Sequence, residues 1–208
     1  MSPIKGHADR GRSKDAPAPF TSRALEWLWQ YLRDDPQPHI LDCGPVFQST
    51  LNILLRRGSK IHVGDMLTPL PPDNPTFWAR EGKKPVFLTN EFLKTIPPVP
   101  VGSLTIIFGW HLLDLVPHEA LEALVERLSS FLRPGGVLYC MLREPHLPTG
   151  AEIYWWMESL TVLGSTADTK RPFPYPAVTN REVERLVPGG NVKTFLTRTG
   201  RREVLGIK

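Results

Sequence analysis

The stretch His39-Ile40-Leu41-Asp42-Cys43-Gly44-Pro45-Val46-Phe47-Gln48 decides how the rest of the chain is read. Its first four residues are a short, largely apolar run closed by an acid, which reads as a strand ending at the turn Cys43-Gly44-Pro45. Val46, Leu51, Ile53, Leu54 and Leu55 then continue into a helix that Gly58 stops. Lys60 to Asp65 reads as a second strand, so residues 39 to 65 form a βαβ unit, which implies a parallel sheet and a right-handed crossover. Gly44 has no Cβ, so its backbone can turn sharply and approach a ligand, while the helix beginning near Val46 aims free N–H groups at the same place.

On the N-terminal side, Phe20, Ala24, Leu25, Leu28, Tyr31 and Leu32 recur at helical spacing, with Thr21 or Ser22 as the cap. On the C-terminal side, residues 67 to 84 carry four prolines and a charged patch, an irregular excursion with at most a turn or two of helix around Phe77. Pro85 to Leu88 is expected as a third strand and Ser103 to Gly109, with its run Leu104-Thr105-Ile106-Ile107-Phe108, as a buried fourth. An amphipathic helix from Pro117 to Leu132 ends at Arg133-Pro134-Gly135-Gly136, and Val137 to Leu142 returns as a fifth strand. Glu152 to Leu163 is expected to be helical, residues 164 to 178 a loop, and Asn180 to Leu186 a short helix capped by Thr179 or Asn180. Two runs, 192 to 197 and 202 to 207, flank Gly200 as a closing antiparallel hairpin.

Composition narrows the function classes. A chain of 208 residues with 41 % hydrophobic content is one ordinary domain, residues 19–208, preceded by a flexible basic tail, residues 1–18. Lys5, Arg10, Arg12 and Lys14 against Asp9 place +3 of the net charge of +4 within the first 14 residues, away from any folded face, which argues against nucleic acid as partner. Cys43 and Cys140 fall in separate strands without metal-ligand spacing, so no metal site or disulfide framework is indicated. No apolar run is long enough for a membrane span and the first fifteen residues are polar, so a cytoplasmic location and no membrane partner are expected.

This order of elements resembles the class I methyltransferase fold over residues 20 to 208, and the segment from Leu104 through Leu113 to Leu132-Arg133-Pro134-Gly135-Gly136-Val137-Leu138 resembles that family's fourth strand, following helix and Pro-Gly-Gly turn. Gly44 to Thr50 and Phe195-Leu196-Thr197-Arg198 also resemble a bacterial subgroup of methyltransferase-like proteins. The resemblance implies an α/β, Rossmann-like architecture: a mostly parallel seven-stranded sheet with a C-terminal antiparallel hairpin and helices on both faces. It also implies S-adenosylmethionine as cofactor and a small molecule or protein side chain as methyl acceptor.

Ligands of such sheets bind beyond the carboxyl ends of the strands where strand order reverses. The cofactor-binding candidates are therefore Asp42, Cys43, Gly44, Gln48, Asp65, Met66, Asn90, Glu91, Gly109 and Trp110. Asp65 follows Asp42 by 23 positions, the offset at which a carboxylate reaches ribose hydroxyls in dinucleotide-type units; its other reading is a cap on the next turn. Asn90 or Glu91, at the end of the expected third strand, is placed to meet an adenine amino group. His111, just past the fourth strand, is the candidate catalytic base, or else a histidine packed at a helix start. Arg143, Glu144, Tyr154 and Trp155 are the candidate substrate pocket, while His62, His118 and Cys43 carry no catalytic motif.

The family's turn reads D-x-G-x-G-x-G, but here Val46 and Gln48 stand at the second and third glycine positions. Two functions follow from the same residues: an S-adenosylmethionine-dependent methyltransferase, or a catalytically inactive domain of the same architecture that serves as a binding or scaffold module.

Overall fold

A strand covered on both faces is apolar along nearly its whole length, and Leu104 to Trp110 is buried at every position, with Thr105 its one polar side chain. Around it the computed structural model describes residues 19–70, 74–143, 151–152, 154–165, 170–171, 175–197 and 201–208. In chain order the first half comprises β1 (Phe20–Thr21), α1 (Arg23–Tyr31), β2 (His39–Asp42), α2 (Gln48–Arg56), β3 (Lys60–Val63), β4 (Trp78–Glu81), β5 (Lys84–Phe87) and α3 (Thr89–Leu93). The second half comprises β6 (Leu104–Trp110), α4 (Leu112–Leu115), α5 (His118–Phe131), β7 (Leu132–Arg143), β8 (Ala151–Glu152), β9 (Trp155–Met157), β10 (Val162–Ser165), β11 (Lys170–Arg171), α6 (Asn180–Leu186), β12 (Val192–Leu196) and β13 (Arg201–Ile207).

The main sheet is mixed and six-stranded, in the order β12-β13-β7-β6-β2-β3. β3, β2, β6 and β7 run parallel, β13 returns antiparallel to β7, and β12 pairs antiparallel with β13, as the expected closing hairpin requires. The β2-α2-β3 crossover steps toward one edge and β6-α5-β7 toward the other, so strand order reverses between β2 and β6. Asp42 lies beside Phe108 in this register, so β6 overshoots β2 by two residues and carries Trp110 past the Asp42 turn.

Three expectations are corrected. Pro85 to Leu88 does not add a seventh strand: Lys84–Phe87 folds back on Trp78–Glu81 as a separate hairpin around Gly82, whose φ is +63°. Pro85 has no N–H to give a central ladder, and Trp78, Phe87, Phe92 and Phe77 make an aromatic cluster that holds the hairpin instead. Glu152 to Leu163 is not a helix, since β9 and β10 pair antiparallel and β1 extends them to three strands. The period of two sends Trp155 inward, under the Arg201 guanidinium, and Trp156 to the other side, against Gly164 and Phe47. Finally, Arg133-Pro134-Gly135-Gly136 is not a break before the fifth strand but its bulged beginning, because the pairing shifts between Leu104↔Leu132 and Ile106↔Val137.

The N-cap alternatives resolve as Ser22 for α1 and Thr179 for α6, the latter in a capping box with Glu182. Ser22 has a second task. Its hydroxyl accepts from the Leu25 amide and donates to the Glu203 carboxylate on β13, which also accepts from the Tyr139 hydroxyl at 2.7 Å. Glu203 is buried, and burial pushes its carboxyl above the usual range despite these donors. Ser22→Ala removes a cap and one donor to a buried acid together, so we expect a loss of about 2–3 kcal/mol of unfolding free energy by chemical denaturation. A loss below about 0.5 kcal/mol would show that the Ser22–Glu203 contact contributes nothing beyond an ordinary surface position.

Candidate functional site

The β2-to-α2 turn and the end of β6 meet at a buried carboxylate. Asp42 Oδ1 accepts from the Gly44 amide at 2.9 Å and from the Trp110 indole Nε1 at 2.7 Å. Burial is the main cause that pushes the Asp42 carboxyl up to about 6, against these two hydrogen bonds, with Asp65 adding a smaller push in the same direction. Trp110 stacks on Phe108 with ring centroids 5.6 Å apart and meets Tyr139 edge-on at 5.8 Å. Its φ is +47°, and it is the one non-glycine residue with positive φ among the described residues. For a bulky side chain that conformation costs on the order of 1–2 kcal/mol and persists only where its surroundings enforce it.

Gly44 is needed here for the indole. A Cβ at position 44 would lie 2.9 Å from both Trp110 Cδ1 and Nε1, closer than side-chain atoms approach one another. The glycine face that the sequence offers to a ligand is thus covered by Trp110.

The other candidates divide. Cys43 is buried, donates its amide to the Phe108 carbonyl, and has its thiol pushed well up by burial, which suits packing and not nucleophilic chemistry. Met66 is buried and its amide donates to the Cys43 carbonyl, which ties the end of β3 to the turn. Asp65 Oδ1 accepts from the amides of Leu67 and Thr68 at 3.1 and 3.0 Å, so the capping role is realised; its second oxygen makes no hydrogen bond among the described residues. The Tyr154 hydroxyl reaches Thr68 Oγ1 at 3.3 Å and brings β9 against that same turn.

Gln48 opens α2, two residues later than Val46, and donates to Asn52 on the exposed surface. Asn90 and Glu91 lie in the exposed first turn of α3, with Glu91 paired to Lys94 at 2.6 Å, because the strand expected to deliver them to the crevice has gone into the β4–β5 hairpin. Gly109 sits inside the sheet, where a Cβ would meet Cys140 Sγ at 3.0 Å. Trp155 is buried in the β9–β10 layer, and Arg143 is buried with its guanidinium donating to the Tyr175 carbonyl. Glu144 lies outside the described residues, as does the 1–18 tail.

His111 is fully buried, with Nδ1 3.0 Å from Asp114 Oδ2, which also accepts from the Arg143 amide at 2.9 Å. Asp114 was not among the sequence candidates; the signal that finds it is a carboxylate three residues after a histidine at a strand end, a spacing that puts both on one side of the turn. Of the two histidines set aside as structural, His118 Nε2 contacts the Pro176 carbonyl at 3.0 Å and His62 Nε2 lies 2.7 Å from His39 Nε2. Among the described residues no group of three or more His, Cys, Asp or Glu side chains is arranged for a metal ion, and no helix is long and apolar enough to cross a membrane.

No family model matches the chain, and no curated protein matches it in sequence. Solved structures resemble it in shape. The 1,6-didemethyltoxoflavin-N1-methyltransferase of Burkholderia thailandensis, solved with 1,6-didemethyltoxoflavin and S-adenosylhomocysteine, is 12 % identical over 89 % of this chain and 76 % of its own, at a TM-score of 0.47. A SAM-dependent methyltransferase from Aquifex aeolicus is 11 % identical over 90 % of each chain, with a TM-score of 0.46. One from Methanosarcina mazei is 17 % identical over 86 % of this chain and 94 % of its own, with a TM-score of 0.45.

Asp42 supplies a pH test of this geometry. Its folded pKa lies above the unfolded value, so the folded state binds the proton more tightly and stability contributed by Asp42 is lost as pH rises through about 6. Asp42→Asn keeps an acceptor for both hydrogen bonds and has no such titration. Relative to the native protein, the variant should gain about 2–3 kcal/mol of unfolding free energy between pH 4 and 7.5. A difference that stays flat over that range would contradict a buried, raised Asp42.

Proposed function

We propose that this chain is an S-adenosylmethionine-dependent methyltransferase acting on a small molecule or a protein side chain, of the bacterial subgroup that its Gly44-to-Thr50 turn resembles. The observation that carries the reading is the pair of acids at the carboxyl ends of the adjacent parallel strands, Asp42 closing β2 and Asp65 two residues past β3, beside the point where strand order reverses. Asp65 keeps a carboxylate oxygen for ribose hydroxyls while its other oxygen holds the turn. Asp42 and Gly44 form the end that takes the cofactor's amino acid, which requires the Trp110 ring to move off Gly44.

The cofactor, when bound, supplies an electrophilic methyl group on a sulfonium. What the chain must supply is chiefly alignment and exclusion of water. His111 is the base in this reading. Asp114, 3.0 Å from Nδ1, fixes the orientation of its ring. Tyr154, beside the Asp65 turn, is the best-placed of the substrate candidates.

Specific observations favour a second reading, a binding or scaffold domain without catalysis. Val46, at a glycine position of the family turn, is 59 % exposed, and Gln48 is turned to Asn52 instead of to the crevice. Calorimetric titration of the full chain with S-adenosylhomocysteine and S-adenosylmethionine separates the two. The methyltransferase reading expects one-to-one binding, weakened ten-fold or more by Asp65→Asn, which keeps an oxygen for the Leu67 and Thr68 amides and leaves the melting temperature within a few degrees. No heat of binding at millimolar ligand sinks it in favour of the scaffold reading.

A further inference from the structure

We propose that Trp110 is an internal stand-in for the amino-acid end of the ligand: it closes the site at Asp42 and Gly44, and only a ligand that brings its own N–H or ammonium donor to Asp42 displaces it. The inference rests on the reading of the crevice given above and says how that crevice is regulated and what it selects.

Three observations meet at this residue. The indole fills the space that the missing Cβ of Gly44 leaves, at 2.9 Å from where that atom would be. Its N–H is one of two donors to a buried carboxylate, only 4 % exposed. Its backbone is left-handed at φ +47°, a conformation that a tryptophan leaves readily for the extended region when its contacts are removed. The closed state is therefore held by the hydrogen bond and ring packing against a backbone that favours release.

Selectivity follows from Asp42. If the ring leaves without replacement, a buried carboxylate keeps the Gly44 amide as its one donor, and leaving such a group short of partners is costly. A ligand whose arm carries an ammonium group restores the lost donor and adds an opposite charge. A nucleoside without that arm does not repay the opening, and it binds, if at all, on the Asp65 side with Trp110 in place.

The test compares S-adenosylhomocysteine with 5′-methylthioadenosine, which keeps the nucleoside and sulfur but lacks the amino-acid arm. Trp110→Ala should tighten S-adenosylhomocysteine ten-fold or more and change methylthioadenosine less than two-fold. Trp110→Phe keeps most of the ring but not the N–H, so it should tighten the first ligand by a smaller factor; it also covers the case in which the alanine variant does not fold. In the native protein, the indole N–H resonance that Trp110→Phe deletes should move on adding S-adenosylhomocysteine and stay put with methylthioadenosine. The inference is overturned if the native protein binds S-adenosylhomocysteine as tightly as the variants do, if both ligands gain equally, or if the indole resonance is unmoved at saturation. In those cases the methyltransferase reading survives. If no variant binds either ligand, that reading fails and this inference with it.

Discussion

A carboxylate taken out of water must be given donors by its own chain, and at Asp42 that requirement organises the centre of the molecule. One donor, the Gly44 amide, lies two residues away and sets the shape of the turn between β2 and α2. The other, the Trp110 indole, comes from the strand on the far side of the topological switch and is reached only because β6 runs past the end of β2. The turn, the strand length, the left-handed backbone at Trp110 and the small residue at position 44 are one arrangement seen from four sides.

Much of the architecture was legible because its signals are local. The amphipathic α5 repeats a 3.6-residue pattern long enough to identify, and the βαβ start, the buried β6 and the closing hairpin are apolar runs set off by turn residues. Residues 152 to 163 went the other way. Their apolar density reads as a helix, yet Trp155 and Trp156 cannot both face inward on one, and the strand that resolves this is stabilised by β1, more than 130 positions away in the chain. Pro85 carried a warning of the same kind, since a residue with no N–H belongs at an edge or in a hairpin.

The crevice was legible in position and not in state. Asp42, Gly44 and Asp65 follow from where strands end, and the end of a strand is a local property. Which way a side chain points after that end is not local. Trp110 reaches Asp42 across 68 positions through a single unusual backbone angle, and no pattern in the sequence announces such an angle at a tryptophan. Asn90 and Glu91 failed for the opposite reason: their own segment is regular, but the hairpin before them diverted it from the sheet.

The contact between Ser22 and Glu203 also bears on how the chain reaches its native state. Ser22 can cap α1 from the moment the helix forms, but the acid that accepts its hydrogen bond stands 181 residues further on. During synthesis the first helix therefore waits, half-anchored, for the final hairpin to slot in beside β7. Closure of so long a loop belongs to slow folding, in which the early segments stay exposed to misassembly until the last strand arrives. A chain interrupted before β13 would lack the acid that Ser22 donates to, and with it one of the contacts that hold α1 against the sheet.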